Sequence, residues 1–294
     1  GNDMKGGDVI VLYALKALEE NGLLKDAQII VAFTGDEEST GKPLDISRKD
    51  LIEAAKRSDI ALGFETSTGF NFATVARRGS SGWEVEVSGK RAHSSGIFSD
   101  QTGAWAIFEM SRILNSFYEE VKGEEYLTFN PGVLLGGTFI DYETKTGKGS
   151  AFGKTNVVAQ TALVKGGLRF ISEAQKENTR AKMREIVANN LPNTTAEIRF
   201  EDSYPAMGPT EGNLALLKQL NTVSLELNQG EVIAYDPGIR GAADTSFVAE
   251  YVDCLDGLGT MGSGAHTPDE TVNLNTIQAL TKRTAILIYR LINQ

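Results

Sequence analysis

The sequence predicts an α/β fold in which a mostly parallel sheet domain, incomplete at its N-terminus, is interrupted by an inserted α+β sandwich. Three observations point there. Helical and short buried-strand patterns alternate over the first 78 residues; from Gly79 the strands take on the alternation of half-exposed antiparallel pairing; and from about residue 203 the first pattern resumes. The predicted division is therefore 1–78 and 203–294 for the host domain and 79–202 for the insertion.

Taken in order, "DVIVLYALKALEENG" has apolar residues at helical spacing, with Asp8 as N-cap and Gly22 past the end. "AQIIVAFTG" is a β-branched run closed by glycine, which predicts a buried parallel strand. "SRKDLIEAAKRS" reads as a helix and "DIALGFET" as a second buried strand. In the insertion, "GWEVEVSGK" alternates Trp83, Val85 and Val87 with acidic or small residues. A long helix over "GAWAIFEMSRILNSFYEEV" follows, then strands at "LTFN", "GVLLGGTFID" and "NVVAQTALVKGGLRFIS", a helix near 173–190, and a strand at "TAEIRFED". The host domain resumes with a helix from 213, a strand at "GEVIAYD" and a helix at "NLNTIQALTKRTAILIYRLI". "GKGSAFGKT" superficially matches a phosphate-binding loop, but Lys148 stands where that motif needs its first glycine, and no helical pattern follows. It reads as a mobile polar loop.

Composition narrows the function. The 294 residues carry a net charge of -10 and a pI near 4.9, with no lysine or arginine cluster, which argues against nucleic acid or an anionic membrane as partner. The most apolar runs, "VIVLYALKAL" and "AILIYRLI", are too short to span a bilayer. One cysteine, Cys254, excludes an internal disulfide and any cysteine-rich metal site. Nothing in the sequence chooses between a cytoplasmic and an exported location.

The chemistry-bearing residues gather where buried strands end. Glu37 and Glu38 follow "IIVAFTGD", Glu65 follows "DIALGF", Asp3 precedes Gly-Gly and a helix, and His266 lies in the loop "GSGAHTPDE". In an α/β sheet such loops converge on one edge, so residues far apart in sequence can share a site. Several carboxylates and an imidazole without thiolates suit a catalytic metal. Adjacent Glu37 and Glu38 allow one to hold the metal while the other moves a proton. An acidic pair after a strand, or a single loop histidine, is common on any surface; it is the joint order that carries weight.

That order, "GNDMKGG", "TGDEEST", "LGFET", "GKRAHSSG", "TNVVAQTA", "LRF", "GAADTSF" and "GAHTPDE", resembles the co-catalytic zinc exopeptidase and deacylase family. The family includes glutamate carboxypeptidase, succinyl-diaminopimelate desuccinylase, acetylornithine deacetylase and aminoacylase; the phrasing is most similar to the glutamate carboxypeptidase branch. The resemblance implies two zinc ions, with Asp3 bridging them, Glu38 and His266 on one, Glu65 on the other, and Glu37 as general base. It implies that the insertion is a lid and dimerisation domain, from which His93 polarises the scissile carbonyl across a homodimer. Asn156 and Arg169 would hold the substrate carboxylate. The implied reaction is hydrolysis of an amide or peptide bond next to a free carboxylate, on a peptide or an N-acyl amino acid. The alternatives are an N-acyl-amino-acid deacylase of the same family, and a truncated, non-catalytic fragment that dimerises and binds metal.

The sequence also departs from the pattern. The family's His-x-Asp motif, upstream of the bridging aspartate, has no counterpart, so the sequence reads as truncated and its second zinc site as incomplete. Ala159 stands where the family often has proline, and "GAAD" replaces a Gly-Thr-Asp turn.

Overall fold

Helix α1 (Lys5–Glu20) buries Ile10, Val11, Ala14 and Leu18, the residues that the 3.6-residue repeat puts on one side. It starts a turn earlier than the sequence predicts, and Asp8 lies inside its first turn rather than at the N-cap, which is Met4. Close packing explains the early start. A Cβ on Gly6 would lie 2.3 Å from Thr260 Oγ1, and one on Gly7 2.1 Å from the Phe64 carbonyl oxygen, so only glycine lets this turn approach. In the computed structural model, which describes residues 1–90 and 92–294, the chain divides into two compact units, 1–79 with 204–294 and 80–203. Arg91 of "GKRAH" lies outside the described residues.

The first unit continues with a departure from expectation. Residues 28–35 form no strand, and Ile29, Ile30, Val31 and Phe33 are exposed. β-branched side chains favour extended backbone, but a strand exists only through a ladder partner, and none among the described residues pairs here. The helix predicted over residues 47–58 is α3 (Lys49–Ala55), preceded by a single unpredicted turn, α2 (Leu44–Ser47), with Arg48 between the two. Short strands β1 (Ile60–Leu62) and β2 (Phe72–Ala73) follow.

The second unit opens with β3 (Gly79–Gly89), whose Trp83, Val85 and Val87 are buried on alternate positions as the period of two requires. Then come α4 (Trp105–Ser116), continued by a π-helical turn at Phe117–Val121, and strands β4 (Thr128–Gly137), β5 (Phe139–Glu143), β6 (Lys148–Phe152) and β7 (Thr161–Phe170). Helix α5 (Glu173–Ala188), capped by Ser172, and strand β8 (Thr194–Asp202) complete it. The sheet order is β4-β7-β3-β8, with antiparallel pairs and a register shift between Pro131 and Val133. Residues 148–152, expected as a polar loop, instead pair antiparallel with β5, Phe139 opposite Phe152. All five residues of β6 are exposed, so no buried alternation marks the strand in the sequence.

The chain returns to the first unit with α6 (Glu211–Glu226), β9 (Ile233–Ala234), α7 (Thr245–Val248), β10 (Asp253–Leu255), β11 (Gly262–Ser263), β12 (Thr271–Val272) and α8 (Leu274–Leu291). Thr210 caps α6 by accepting from the Asn213 amide. β1 runs parallel to β10 and β2 parallel to β9, and an antiparallel bridge between Thr74 and Asp256 joins the two pairs, so they run in opposite directions. Ala73, Val75, Leu216, Leu220, Val232, Leu255, Leu258 and Leu287 form the main core of this unit, with Ile60, Leu62 and Phe64 against it. Among the described residues, no helix is long and apolar enough to cross a membrane.

Candidate metal centre

Three of the predicted ligands meet. His266 Nε2 lies 2.9 Å from Asp3 Oδ2 and 3.3 Å from Glu38 Oε1, and one ligand atom from each residue falls within 4.8 Å of the others. The local structure explains the meeting. Asn2 is buried; its amide donates to Glu270 Oε1 and its Oδ1 accepts from Thr260 Oγ1, so the turn carrying Asp3 is tied to both ends of the loop carrying His266. That loop is closed by the β11–β12 pair, Gly262 opposite Val272, and by Thr267, whose amide and hydroxyl both donate to the Gly264 carbonyl. His266 itself adopts φ +63°, a left-handed conformation uncommon outside glycine, at the position where it must face Asp3 and Glu38. The cluster opens to solvent: Asp3 is 14% exposed, Glu38 63% and His266 66%.

Glu37 and Glu65 belong to the same unit and feel the charge of Asp3, although Glu65 stands outside the three-residue cluster. The Glu37 carboxyl is pushed up to about 7 by burial, then by the charges of Asp244, Glu38 and Asp3, against the opposing pull of Arg77. Glu65, beyond the end of β1, is raised too, by burial and then by the carboxylate of Asp256, again with Arg77 opposing. Asp256 is fully buried. It accepts from Arg77 Nε at 2.7 Å, Thr245 Oγ1 at 2.7 Å and the Gly257 amide at 2.6 Å, and Arg77 Nη1 reaches the Gly241 carbonyl. Arg77 holds Asp256 on the low side of the carboxylate range although burial pushes the other way. For Glu37 and Glu65 the raised proton affinity thus reports burial first and the repulsion of neighbouring carboxylates second. An imidazole beside carboxylate oxygens is a donor set that suits a divalent cation such as zinc.

The sequence pointed to Asp3, Glu37, Glu38, Glu65 and His266, and all five lie in the first unit. It missed Asp244, Asp256 and Arg77. Asp256 had a visible signal, since it follows the short run "DCL" just as Glu65 follows "IALGF". Buried Arg77, at the end of an apolar stretch, had none.

The other three predicted residues lie in the second unit. His93 Nδ1 is 2.8 Å from Ser95 Oγ, and the backbone at His93 pairs with Val157, while the Ser94 amide donates to the Asn156 carbonyl. His93 and Asn156 therefore sit on neighbouring chain segments. Arg169 does not join them: it lies near the far end of β7, opposite Thr128 and eight residues from Thr161, roughly 26 Å at the rise of a strand.

Comparison with known proteins adds to this geometry. The sequence profile described as Peptidase family M20/M25/M40 matches residues 1–290. Carboxypeptidase G2 of Pseudomonas sp. (strain RS-16) is 25% identical over 283 residues, 94% of this chain and 62% of the relative. A succinyl-diaminopimelate desuccinylase of Gluconobacter oxydans (strain 621H) is 26% identical over 292 residues, covering 95% of this chain and 69% of the relative. The chain thus spans less than two thirds of the carboxypeptidase's length. Among solved structures, a Bacillus subtilis protein described as a dinuclear metal-binding peptidase of the M20 family superposes with a TM-score of 0.60. It is 14% identical, over 89% of this chain and 64% of that one.

Proposed function

Because the chain belongs to peptidase family M20/M25/M40, we propose that it is a zinc-dependent hydrolase of amide or peptide bonds next to a free carboxylate, of the glutamate carboxypeptidase kind. The observation that carries this reading is the convergence of Asp3, Glu38 and His266 within 4.8 Å, with the Glu37 carboxyl beside them. Asp3, Glu38 and His266 would hold one zinc, and Glu65 would contribute toward a second. Zinc bound there supplies Lewis acidity toward water and toward the scissile carbonyl.

The chain's own residues do the rest. Glu37, half-buried and next in sequence to Glu38, takes a proton from the attacking water and returns it to the leaving amine. His93 donates to the developing oxyanion, and Asn156 and Arg169 bind the substrate carboxylate, for which an arginine fork offers two parallel hydrogen bonds. The distance of Arg169 from the His93–Asn156 segment supports a homodimer built through the 80–203 unit, in which the two ends of that unit serve different sites. Exposed Ile107 and Phe108 on α4 offer apolar surface for it.

The deacylase reading is favoured by the desuccinylase relative, and it changes the substrate rather than the chemistry. Hydrolysis of acyl-glutamates and of N-succinyl amino acids, assayed side by side with added zinc, separates the two. Unchanged turnover in Glu37→Ala would sink both.

A further inference from the structure

The loop that carries Glu37 and Glu38 has an anchoring problem. Residues 28–35 lead into it without strand pairing among the described residues, and the helices that follow, α2 and α3, begin only at Leu44 and Lys49. A ligand and a proton carrier need positions fixed to a fraction of an ångström, and among the described residues no ladder fixes them.

Arg48 supplies the anchor. It is 0% exposed, held at the α2–α3 joint with its guanidinium over the Phe247 ring, 5.2 Å from the centroid. Its Nη1 donates to Asp36 Oδ1 at 2.6 Å, and its Nη2 to the Asp36 backbone carbonyl at 3.2 Å. Its Nε forms an ion pair with Asp244 Oδ1 at 2.9 Å. Asp36 is held on its other oxygen by Ser47 Oγ and the Gly41 amide. Asp244 passes the hold back to the loop, because its Oδ2 accepts from the Thr34 hydroxyl. Tyr204, whose ring packs on Phe247, donates its hydroxyl to the Glu37 carbonyl and accepts from Thr40. One buried guanidinium thus grips the segment directly at Asp36 and, through Asp244, at Thr34.

We propose that Arg48 is a positioning residue for the Glu37–Glu38 pair: its fork on Asp36 and its ion pair with Asp244 set where the two glutamates stand. The part of this that concerns metal affinity rests on the reading of Asp3, Glu38 and His266 as zinc ligands. Planar donors in a fixed fork suit the task, and lysine, a point charge on a flexible stem, cannot hold a carboxylate and a backbone carbonyl together in that geometry. Outer partners of this sort commonly change metal affinity by roughly 10- to 100-fold.

Two variants test it, Arg48→Lys, which keeps the charge and loses the fork, and Asp36→Asn, which keeps the shape and loses the charged partner. Neither residue belongs to the proposed catalytic or metal-binding set. Two readouts are needed on the folded chain: amide hydrogen exchange over residues 34–41 without metal, and cobalt(II) titration followed by its visible absorption. The expected result is exchange over 34–41 at least tenfold faster in both variants with α8 unchanged, cobalt affinity lowered roughly 10- to 100-fold, and an altered absorption band. Variants with a lower melting temperature but unchanged exchange and cobalt affinity would reduce Arg48 to a purely structural role and overturn the proposal. If Arg48→Lys fails to fold, Asp36→Asn decides. If the unmodified chain binds no cobalt, the metal reading fails on its own account, and the exchange comparison still decides whether Arg48 holds the loop.

Discussion

Glu37→Gln should flatten the pH dependence of stability in the metal-free chain. The Glu37 carboxyl moves from 4.5, its ordinary value, to about 7 in the folded chain. Between those two pH values the folded state binds a proton that the unfolded state has released. Its contribution is therefore fully present below pH 4.5 and is lost as pH rises through 7. At about 1.4 kcal/mol for each tenfold change in proton affinity, the interval sets a ceiling of about 3.5 kcal/mol. Glu37 is only half-buried, and solvent screening reduces that to about 1–2 kcal/mol. Glutamine has no proton to lose, so the variant keeps only the slope that Glu65 and other groups contribute. The assay is urea denaturation at pH 5 and pH 8 with a chelator present, followed by far-UV circular dichroism. Fluorescence is unsuitable because both tryptophans, Trp83 and Trp105, lie in the 80–203 unit. The unmodified chain should lose about 1–2 kcal/mol more than the variant between the two pH values. Equal losses would refute the claim that burial and the charges of Asp244, Glu38 and Asp3 hold the proton on Glu37.

Two more expectations concern the frame around the site, both measurable by the same denaturation assay. Gly7→Ala should destabilise by about 1–3 kcal/mol, although glycine to alanine in a helix ordinarily stabilises, because the new Cβ would lie 2.1 Å from the Phe64 carbonyl oxygen beside Glu65; a gain in stability would contradict the packing. Arg77→Met should cost about 3–5 kcal/mol by leaving fully buried Asp256 without its salt-bridge partner, and a loss below about 1 kcal/mol would mean that another cation takes over.

Long helices and the ladder strands of the 80–203 unit were legible because their side chains alternate between buried and exposed with the period of the element. In α8 the buried positions Leu280, Arg283, Thr284, Leu287 and Ile288 recur at helical spacing, and in β3 Trp83, Val85 and Val87 mark every second residue. Residues 28–35 misled for a physical reason: β-branching describes what the backbone tolerates, whereas pairing depends on a partner that local sequence does not name. The hairpin strand β6 was missed for the opposite reason, since its residues are paired yet all exposed. At the site, motif order located the groups that face solvent or one another across loops. The groups behind them were harder to read: Arg48 read as one more polar residue of a helix and Arg77 as an ordinary charge, while Asp256 was marked only by its place after a short apolar run. A buried ion pair is a property of two distant positions, and neither residue announces it alone.

The central claim is that Asp3, Glu38 and His266 hold a divalent metal, and zinc titration of the purified chain against a competing chelator, with His266→Ala in parallel, tests it most directly. The account predicts at least one zinc per chain, with affinity lowered at least tenfold in the variant. No zinc retained at micromolar concentration, or equal affinity in the variant, would contradict it.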